Sequence, residues 1–323
     1  MKRVLSGLQP SGQLHIGNYA GAIQQFLRMQ RDHEMYIFVA SYHALTSARS
    51  AADLRAATRQ VAVDYLAFGL DPSHCHLYRQ QDVPEVTELA WLLACVCPTS
   101  LMEKGVAYKD KVANGLAANI GLYTYPILQA ADILSVDPDL VPVGKDQVQN
   151  IEICRDLAAK FNHHFQKDIF RLPAYRVRED AATVPGVDGR KMSKSYGNTL
   201  DPFMDEKPLR KRIMGITTDS KGVDDVKEPE TCTIYQIYAA LAGTQDHRTQ
   251  MLADRYRTPG MGYGHAKQEL FELIMDVFGP ARAKRAELMA HPTMVDDVLA
   301  AGAKAARGKA RQVVGQAREA CGL

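Results

Sequence analysis

Short apolar runs alternate with amphipathic segments along the first two-thirds of the chain. Apolar runs of strand length lie at 2–6, 35–40, 75–79 and 140–143, and helical periodicity covers 17–31, 51–68 and 146–161. Pro84 and Pro126 each open a further helix, because a proline at the first turn removes only an N–H that has no partner there. Alternation of this kind predicts a parallel sheet with helices on both faces.

After about residue 200 the pattern is helical, with no strand-like run. Helices are expected at 206–213, 234–242, 247–256, 264–278, 281–289 and 293–320. The chain is therefore expected to divide into an α/β part, 1–200, and an all-helical part, 201–323. The last twenty residues carry five basic side chains and one acidic side chain, which leaves open either a solvated helix face or a surface that contacts RNA.

Composition and charge exclude several classes of protein. The chain has 323 residues with 39 Lys and Arg against 37 Asp and Glu, so any binding to nucleic acid must use local basic patches. No apolar run approaches the roughly 18–20 residues of a membrane span, and the start of the chain has no signal-peptide core. Six cysteines in 323 residues are too sparse for a disulfide scaffold, which favours a cytoplasmic protein, and the absence of a C-x-x-C pair argues against a zinc ribbon or an iron–sulfur site. Cys95 and Cys97 lie in an apolar helical run and are expected to be buried thiols.

The first candidate site is the turn at 6–18, between the first strand and the first helix. Ligands of open parallel sheets bind where strands end, and a helix N-terminus offers unpaired N–H groups that suit phosphate. His15 and Asn18 are three residues apart and therefore face the same side of a helix start. Taken alone, a glycine-rich turn with a histidine is a weak signal of nucleotide binding.

The second candidate site is the segment 189–198, in which two lysines and two serines are flanked by glycines. Lysines here can neutralise a pyrophosphate, and the glycines allow a loop to open and close. A solvated charged loop is the alternative interpretation of the same residues.

Two further segments carry polar groups in apolar surroundings. Asp132 lies in the apolar helix 125–134, where an ionised carboxylate needs a partner, either a structural arginine or the N–H of a ligand. The segment 141–147 passes from a strand into a helix and places a glycine, an acid and an amide at the crossing.

Four motifs in this order resemble a known enzyme family. They are His-Ile-Gly-Asn at 15–18, Tyr-Pro-Ile-Leu-Gln-Ala-Ala-Asp-Ile-Leu at 125–134, Val-Pro-Val-Gly-Lys-Asp-Gln at 141–147 and Lys-Met-Ser-Lys-Ser at 191–195. Over essentially its whole length the chain is similar to the class I aminoacyl-tRNA synthetases, and within them to the bacterial tryptophanyl-tRNA synthetase family. The resemblance implies a Rossmann-type catalytic domain over 1–200, with a dimerisation insertion near 80–135. It also implies an all-helical anticodon-recognition domain over 201–323.

The resemblance implies a two-step reaction. L-Tryptophan and ATP, which brings Mg²⁺ as its complex, would give tryptophanyl-adenylate and pyrophosphate. Tryptophan would then pass to the 3′ terminal adenosine of tRNA(Trp). Members of this family form homodimers, so a homodimer is expected, with no membrane partner and no tightly bound protein metal.

The resemblance also assigns residues. Asp132 matches the acid that accepts the indole N–H, and Tyr125, His43 and Gln147 match groups near the ammonium and carboxylate of the amino acid. The implied catalytic residues are His15, Asn18, Lys111, Lys191 and Lys194. The implied ATP-binding residues are Gln9, Pro10, Ser11, Gly17, Asn18, Gly144, Lys145, Asp146, Val184, Lys191, Met192, Ser193, Lys194 and Ser195. The implied tryptophan-binding residues are Asp132, Tyr125, His43, Gln129, Gln147, Val141, Val143 and Gly7.

Two positions depart from the pattern of the family. Gln129 stands where the family usually has Met, which is expected to alter the affinity for tryptophan or the rejection of its analogues, and Ser41 stands where an Asp is common.

Three alternative functions stay open. A tyrosyl-tRNA synthetase shares the fold and an acid in the pocket. A non-catalytic paralogue and a small-molecule nucleotidylyltransferase are the more distant alternatives. The intact motifs argue against the paralogue, and the helical region after 200 argues against the nucleotidylyltransferase.

Overall fold

The computed structural model describes residues 1–10, 12–48, 50–103, 108, 119–177 and 184–323. Its centre is one sheet of five strands that pair in parallel, in the order β3-β2-β1-β4-β5. The strands are β1 (Lys2–Leu8), β2 (His33–Val39), β3 (Cys75–Arg79), β4 (Leu140–Val143) and β5 (Ala174–Val177). The parallel sheet expected from the sequence is confirmed.

Strand β2 shows why these runs form a buried sheet. Its residues 35–39 are all buried, as expected of a central parallel strand that is covered on both faces. Strand β1 pairs with β2 on one side and with β4 on the other, so the order of the strands reverses at β1. The crevice beyond the carboxyl ends of β1 and β4 is therefore the expected ligand site of this sheet.

The first helix is composite, because α1 (Ile16–Asn18) continues through a π-helical turn (Tyr19–Ile23) into α2 (Gln24–Met29). The other helices before residue 200 are α3 (Ser41–Ala44), α4 (Ala51–Ala67), α5 (Glu85–Val96), α6 (Thr99–Met102), α7 (Ile120–Tyr123), α8 (Tyr125–Ser135) and α9 (Val148–Phe165). After residue 200 follow α10 (Glu206–Met214), α11 (Thr233–Ala242), α12 (His247–Tyr256), α13 (Tyr263–Ala290) and α14 (Pro292–Cys321). That part of the chain is helical, as expected.

Three local expectations were wrong. Strand β5 was not expected, since Ala174-Tyr175-Arg176-Val177 is a half-exposed edge strand without a continuous apolar run. The break expected near Pro280 does not occur, and α13 runs through it because Phe278 and Ala281 on either side are both buried in the core. The helix expected from 146 begins at Val148, after a short 3-10 turn over Lys145–Gln147.

The helices after residue 200 pack into the same cores as the sheet. One hydrophobic cluster joins Val4 of β1 to Phe278 of α13, and a second joins Leu5 of β1 to Ala306 of α14. Helix α14 approaches β3 so closely that a methyl group at Gly302 would lie 2.0 Å from the carbonyl oxygen of Leu77. The chain after residue 200 therefore lies against the α/β part along much of its length.

Helix α5 presents an apolar face to solvent, which corrects the expectation for its cysteines. Cys95 is exposed and Cys97 is only half-buried, because the buried side of α5 is formed by other residues, among them Leu89 and Leu93. Trp91, one turn before Cys95, is 70% exposed. None of the helices in the described ranges has the length and apolar character needed to cross a membrane.

Candidate active site

A cavity of about 460 Å³ opens beyond the carboxyl ends of β1 and β4, at the crevice described above. A volume of this size is typical of a site for a small-molecule ligand. All eight residues expected to bind tryptophan line it, namely Gly7, His43, Tyr125, Gln129, Asp132, Val141, Val143 and Gln147. Gln9 and Gly144, which were expected to contact ATP, line it as well.

Asp132 is the buried acid of this cavity. It projects from α8, and its carboxylate accepts hydrogen bonds of 2.8 Å from Nε2 of His43 and of 2.8 Å from Nε2 of Gln80 at each oxygen. Its protein partners are thus a histidine and an amide rather than the arginine considered from the sequence. Burial raises the pKa of the Asp132 carboxyl above its usual range, and the hydrogen bonds from His43 and Gln80 partly offset that rise.

Gln80 is the site residue that sequence reasoning missed. Its side chain is fully buried in a 3-10 turn at the end of β3. While its Nε2 donates to Asp132, its Oε1 accepts from the backbone N–H of Tyr42 at 2.8 Å and of His43 at 3.3 Å. Gln80 therefore fixes both the carboxylate and the backbone that carries His43. The only sequence signal was an amide directly after a buried strand.

His43 and Tyr125 form one wall of the cavity. Their ring centroids are 4.3 Å apart, and Nε2 of Gln9 donates to the hydroxyl of Tyr125 at 3.4 Å. His43 was expected near the charged end of the amino acid, whereas the structure places its Nε2 on Asp132.

Gln129 is only weakly held in the cavity. Its Nε2 donates to Oε1 of Gln147 at 3.4 Å, while its own Oε1 is buried and finds no hydrogen-bond partner in the described part of the chain. A buried carbonyl oxygen without a partner costs about 1–3 kcal/mol. Gly7, which also lines the cavity, is required by packing, because a methyl group there would lie 2.4 Å from the carbonyl oxygen of Phe38.

The start of the first helix positions the first motif. Oδ1 of Asn18 accepts the backbone N–H of His15 at 3.0 Å, which caps the helix and places these two residues together as expected. The ring of His15 is buried, and burial together with the nearby ammonium of Lys194 lowers its pKa to about 4. Burial thus favours the neutral imidazole, whose buried Nδ1 has no hydrogen-bond partner among the described residues.

The first and second motifs meet in the folded chain. The backbone N–H of Gly17 donates to Sδ of Met192 at 3.3 Å, and Nζ of Lys194 lies 3.7 Å from where a methyl group at Gly12 would stand. Met192 is buried, and its backbone N–H donates to the carbonyl oxygen of Val184 at 2.9 Å. Burial lowers the pKa of the Lys194 ammonium, opposed by the nearby carboxylates of Asp64 and Asp201.

The structure describes most of the other residues that were expected to contact ATP. Ser193 and Ser195 share a hydrogen bond of 2.8 Å between their hydroxyls, and the side chains of Lys191 and Lys145 are exposed. Pro10 is buried. Two expected residues, Ser11 and Lys111, lie outside the described residues, and of Asp146 the structure describes the backbone alone.

The structure gives partners to several basic side chains of the helical region. Arg210 donates to Gln268, and Arg212 donates to the backbone carbonyls of Gly197 and Thr199, at the end of the segment 189–198 and just after it. Arg307 and Arg311 pair with Glu85 of α5, and Arg318 lies 3.5 Å from Glu88. Three of the five basic residues at the end of the chain thus connect α14 to α5. No group of three or more His, Cys, Asp or Glu side chains in the described ranges could hold a metal ion.

Comparison with known proteins places this geometry in a family. Residues 1–279 match the model of the tRNA synthetases class I (W and Y). The chain is 50% identical over 321 residues to the tryptophan–tRNA ligase of Rhodopirellula baltica, covering 99% of each sequence. It is 48% identical to the tryptophan–tRNA ligase of Fusobacterium nucleatum, over 100% of this chain and 98% of that one. It superposes with a TM-score of 0.91 and 46% identity on a crystal structure of Campylobacter jejuni tryptophanyl-tRNA synthetase complexed with ADP and tryptophan, covering 99% of this chain and 100% of that one.

Proposed function

The chain belongs to the class I tRNA synthetases of the tryptophan and tyrosine family, and from this premise we infer that it activates L-tryptophan with ATP and charges tRNA(Trp). It is an aminoacyl-tRNA ligase. The observation that carries the choice of amino acid is Asp132, a buried acceptor held by Gln80 and His43 in an otherwise largely apolar cavity. The indole N–H of tryptophan would add one more donor to a carboxylate that already accepts from Gln80 and His43, since a carboxylate has about four acceptor positions.

Asp132 would select its substrate through the penalty for leaving its remaining acceptor position unfilled when the cavity is occupied. A site built to hydrogen-bond a substrate N–H rejects an analogue without that group, because a buried polar atom then loses its partner. The side chains of Val141 and Val143 would contact the indole ring. Gly7, which also lines the cavity, would contact that ring through its backbone. Tyr125, His43 and Gln147 would lie near the ammonium and carboxylate, and Gln9 would contact ATP.

The first chemical step needs no nucleophile from the protein. The tryptophan carboxylate attacks the α-phosphorus of ATP, the bond between the α- and β-phosphates breaks, and pyrophosphate leaves with the electron pair. Catalysis is then a matter of positioning and of stabilising charge on the phosphates. We assign this to His15 and Asn18 at the helix start and to Lys111, Lys191 and Lys194, whose ammonium groups match the charge of the leaving pyrophosphate.

The remaining proposed contacts of ATP involve its adenosine, its phosphates and the Mg²⁺ ion that it brings. Pro10, Ser11, Gly17, Lys145 and Asp146 would contact ATP beside the amino acid cavity. The hydroxyls of Ser193 and Ser195, with Val184 and Met192 behind them, would complete the phosphate side. Mg²⁺ would arrive with ATP and supply charge neutralisation on the phosphates, since the described residues offer no cluster of ligands for it.

In the second step a ribose hydroxyl of the terminal adenosine of tRNA attacks the carbonyl carbon of the adenylate, and AMP leaves.

We propose that the helical region 201–323 forms a domain that recognises the anticodon, CCA in this family, while 1–200 carries both chemical steps. The cytoplasmic location expected from the sequence follows from this tRNA substrate. Charging assays with labelled tryptophan test the proposal. We expect a tRNA(Trp) transcript to be charged with tryptophan and not with tyrosine, and an altered anticodon to reduce charging.

We also propose a homodimer formed through the exposed apolar face of α5. Trp91 is 70% exposed there, and Leu45 and Ile120 nearby are 60% and 75% exposed. A groove of about 630 Å³ lies between them, and Tyr125 and His43 line both this groove and the amino acid cavity. Exposed apolar patches of this kind mark interaction sites. A second copy of the chain on this face would cover the outer wall of the tryptophan site.

The dimer proposal has a simple spectroscopic test, because Trp91 is the one tryptophan of the chain. We expect sedimentation equilibrium to give a dimer and Trp91 emission to shift to the red on dilution, as the indole becomes exposed. A monomer at all concentrations with unchanged emission would contradict the dimer and leave the catalytic proposal standing.

A further inference from the structure

Asn198 lies at the end of the second motif, and its side chain is 2% exposed. Its Nδ2 donates to Oδ1 of Asp188 at 2.6 Å and to the carbonyl oxygen of Lys191 at 3.1 Å. Its Oδ1 accepts the backbone N–H of Ser193 at 2.8 Å. One buried amide therefore connects three points of the segment 188–193.

The amide has no room to move from this position. A methyl group at Gly186 would lie 2.3 Å from Cγ and Nδ2 of Asn198, so the side chain lies directly against that glycine. The carbonyl oxygen of Asn198 accepts the backbone N–H of Val187 at 2.9 Å. The segment is thus closed into a compact loop, with Asn198 and Gly186 packed together at its base.

The backbone on both sides of Asn198 is held from the helical region. Arg212 of α10 donates to the carbonyl oxygen of Thr199 at 2.6 Å and also to that of Gly197. Two residues on, the carbonyl oxygen of Leu200 accepts the backbone N–H of Ile16 at 2.9 Å. Asn198 is therefore a fixed point against which the loop with Lys191 and Lys194 is oriented.

We propose that Asn198, paired with Asp188, is a positioning residue that sets the conformation in which the second motif presents its lysines to the phosphates of ATP. It acts through the backbone of Lys191 and Ser193 and touches no substrate. This inference rests on the proposed function, and it adds a residue for which the motif itself supplies no role. A change at Asn198 reorients the phosphate loop and leaves the amino acid cavity intact, because Asn198 does not line that cavity.

The test exchanges the two partners of the pair. Asn198→Asp keeps the acceptor for Ser193, loses both donors and sets a carboxylate against Asp188. Asp188→Asn combined with Asn198→Asp restores a donor and an acceptor in reversed order. Asn162→Asp is the matched control, because Asn162 also donates to a carbonyl, at 2.8 Å to Phe170, and accepts backbone N–H groups, but at the end of α9.

Three quantities are measured for each variant: kcat and KM for ATP in pyrophosphate exchange, the dissociation constant for tryptophan without ATP, and the rate of tryptic cleavage within 190–194. For Asn198→Asp we expect kcat/KM for ATP to fall about 10- to 100-fold, the loss of one or two strong hydrogen bonds, with tryptophan affinity unchanged and cleavage faster. The double variant restores the hydrogen bond between positions 188 and 198 but not the donor to Lys191, so it should recover part of the loss in kcat/KM and part of the resistance to cleavage. Asn162→Asp should lower stability and change neither kcat/KM nor cleavage.

The inference fails if Asn198→Asp leaves kcat/KM for ATP and cleavage unchanged. It also fails if tryptophan affinity falls in parallel, or if the double variant shows no recovery, since the role would then be structural. The cleavage rate reports on the loop without requiring activity, whereas a wild-type protein with no exchange would contradict the proposed function itself.

Discussion

Gln80 donates its Nε2 to both carboxylate oxygens of Asp132, at 2.8 Å each, across a separation of 52 residues in the chain. Among the described residues neither side chain has an arginine partner, and the carboxylate that faces the cavity is held by the amide of Gln80 and the imidazole of His43. A bound arginine would satisfy the acid. The amide and imidazole hold it in place and leave it an acceptor for an indole N–H.

This relationship predicts the effect of removing the amide. Gln80→Met keeps the length of the side chain and removes the donor to Asp132 and the acceptor for the backbone of His43. We expect KM for tryptophan to rise about 10- to 100-fold, because hydrogen bonds to charged groups are worth about 1.5–3 kcal/mol, while KM for ATP changes little. Gln81→Met is the control, since the Gln81 side chain is exposed. An unchanged KM for tryptophan would show that Asp132 needs no support from Gln80.

Replacing Gln129 with the Met that the family usually has is expected to change both the stability of the protein and its selection among amino acids. Gln129→Met removes a buried carbonyl oxygen that lacks a partner and fills the cavity wall with an apolar, polarisable group. We expect the free energy of unfolding to rise by about 1 kcal/mol and the KM values for tryptophan and for ring-substituted analogues to change relative to one another. Pyrophosphate exchange with each amino acid measures this. Identical values in the two proteins would mean that position 129 does not contribute to selection.

The buried imidazole of His15 is expected to make the stability of the folded protein depend on pH. Its pKa is about 4 in the folded chain against 6.5 for an ordinary histidine. Between those values the unfolded chain binds a proton that the folded chain does not, so stability falls as pH falls through this window, by at most about 3 kcal/mol. In urea unfolding, His15→Gln should lose less stability than the wild type between pH 6.5 and pH 4. A constant difference between the two proteins across that range would contradict the buried neutral imidazole.

Alanine substitutions at Gly302 and Gly308, which both lie in α14, are expected to have opposite effects on stability. A methyl group at Gly302 would lie 2.0 Å from the carbonyl oxygen of Leu77, whereas nothing lies within 4 Å of a methyl group at Gly308. Gly302→Ala should destabilise the protein by about 1–3 kcal/mol or more, because α14 must move away from β3. Gly308→Ala should stabilise it by up to about 1 kcal/mol through helix propensity. Equal effects in urea unfolding would show that α14 does not pack on β3 in this way.

The regular elements were predictable where local pattern and burial agree. Strands β3 and β4 begin and end at the expected residues, since each is a short run bounded by turns. Strand β5 was missed, because it is a half-exposed edge strand and its own sequence does not reveal its pairing with β4. Helix α13 continues through Pro280 because buried packing on both sides outweighs one lost hydrogen bond.

The site was predictable as a list of residues but not as a network. Gly7, Asp132 and Gln147 could be placed in one cavity from their motifs. The partners of Asp132 come from two other elements, and no local pattern identifies Gln80. Cys95 was misjudged for the same kind of reason, because an apolar helix face left uncovered within one chain has the same sequence pattern as a buried face.

The most direct test of Asp132 as the residue that selects tryptophan is ATP–pyrophosphate exchange with tryptophan, with tyrosine and with no amino acid. Wild type, Asp132→Ala and the surface control Asp156→Ala are compared, since the Asp156 side chain is exposed. We predict exchange only with tryptophan, a loss of at least about 100-fold in Asp132→Ala, and no loss in Asp156→Ala. Exchange with tyrosine, or full tryptophan-dependent exchange by Asp132→Ala, would contradict the account.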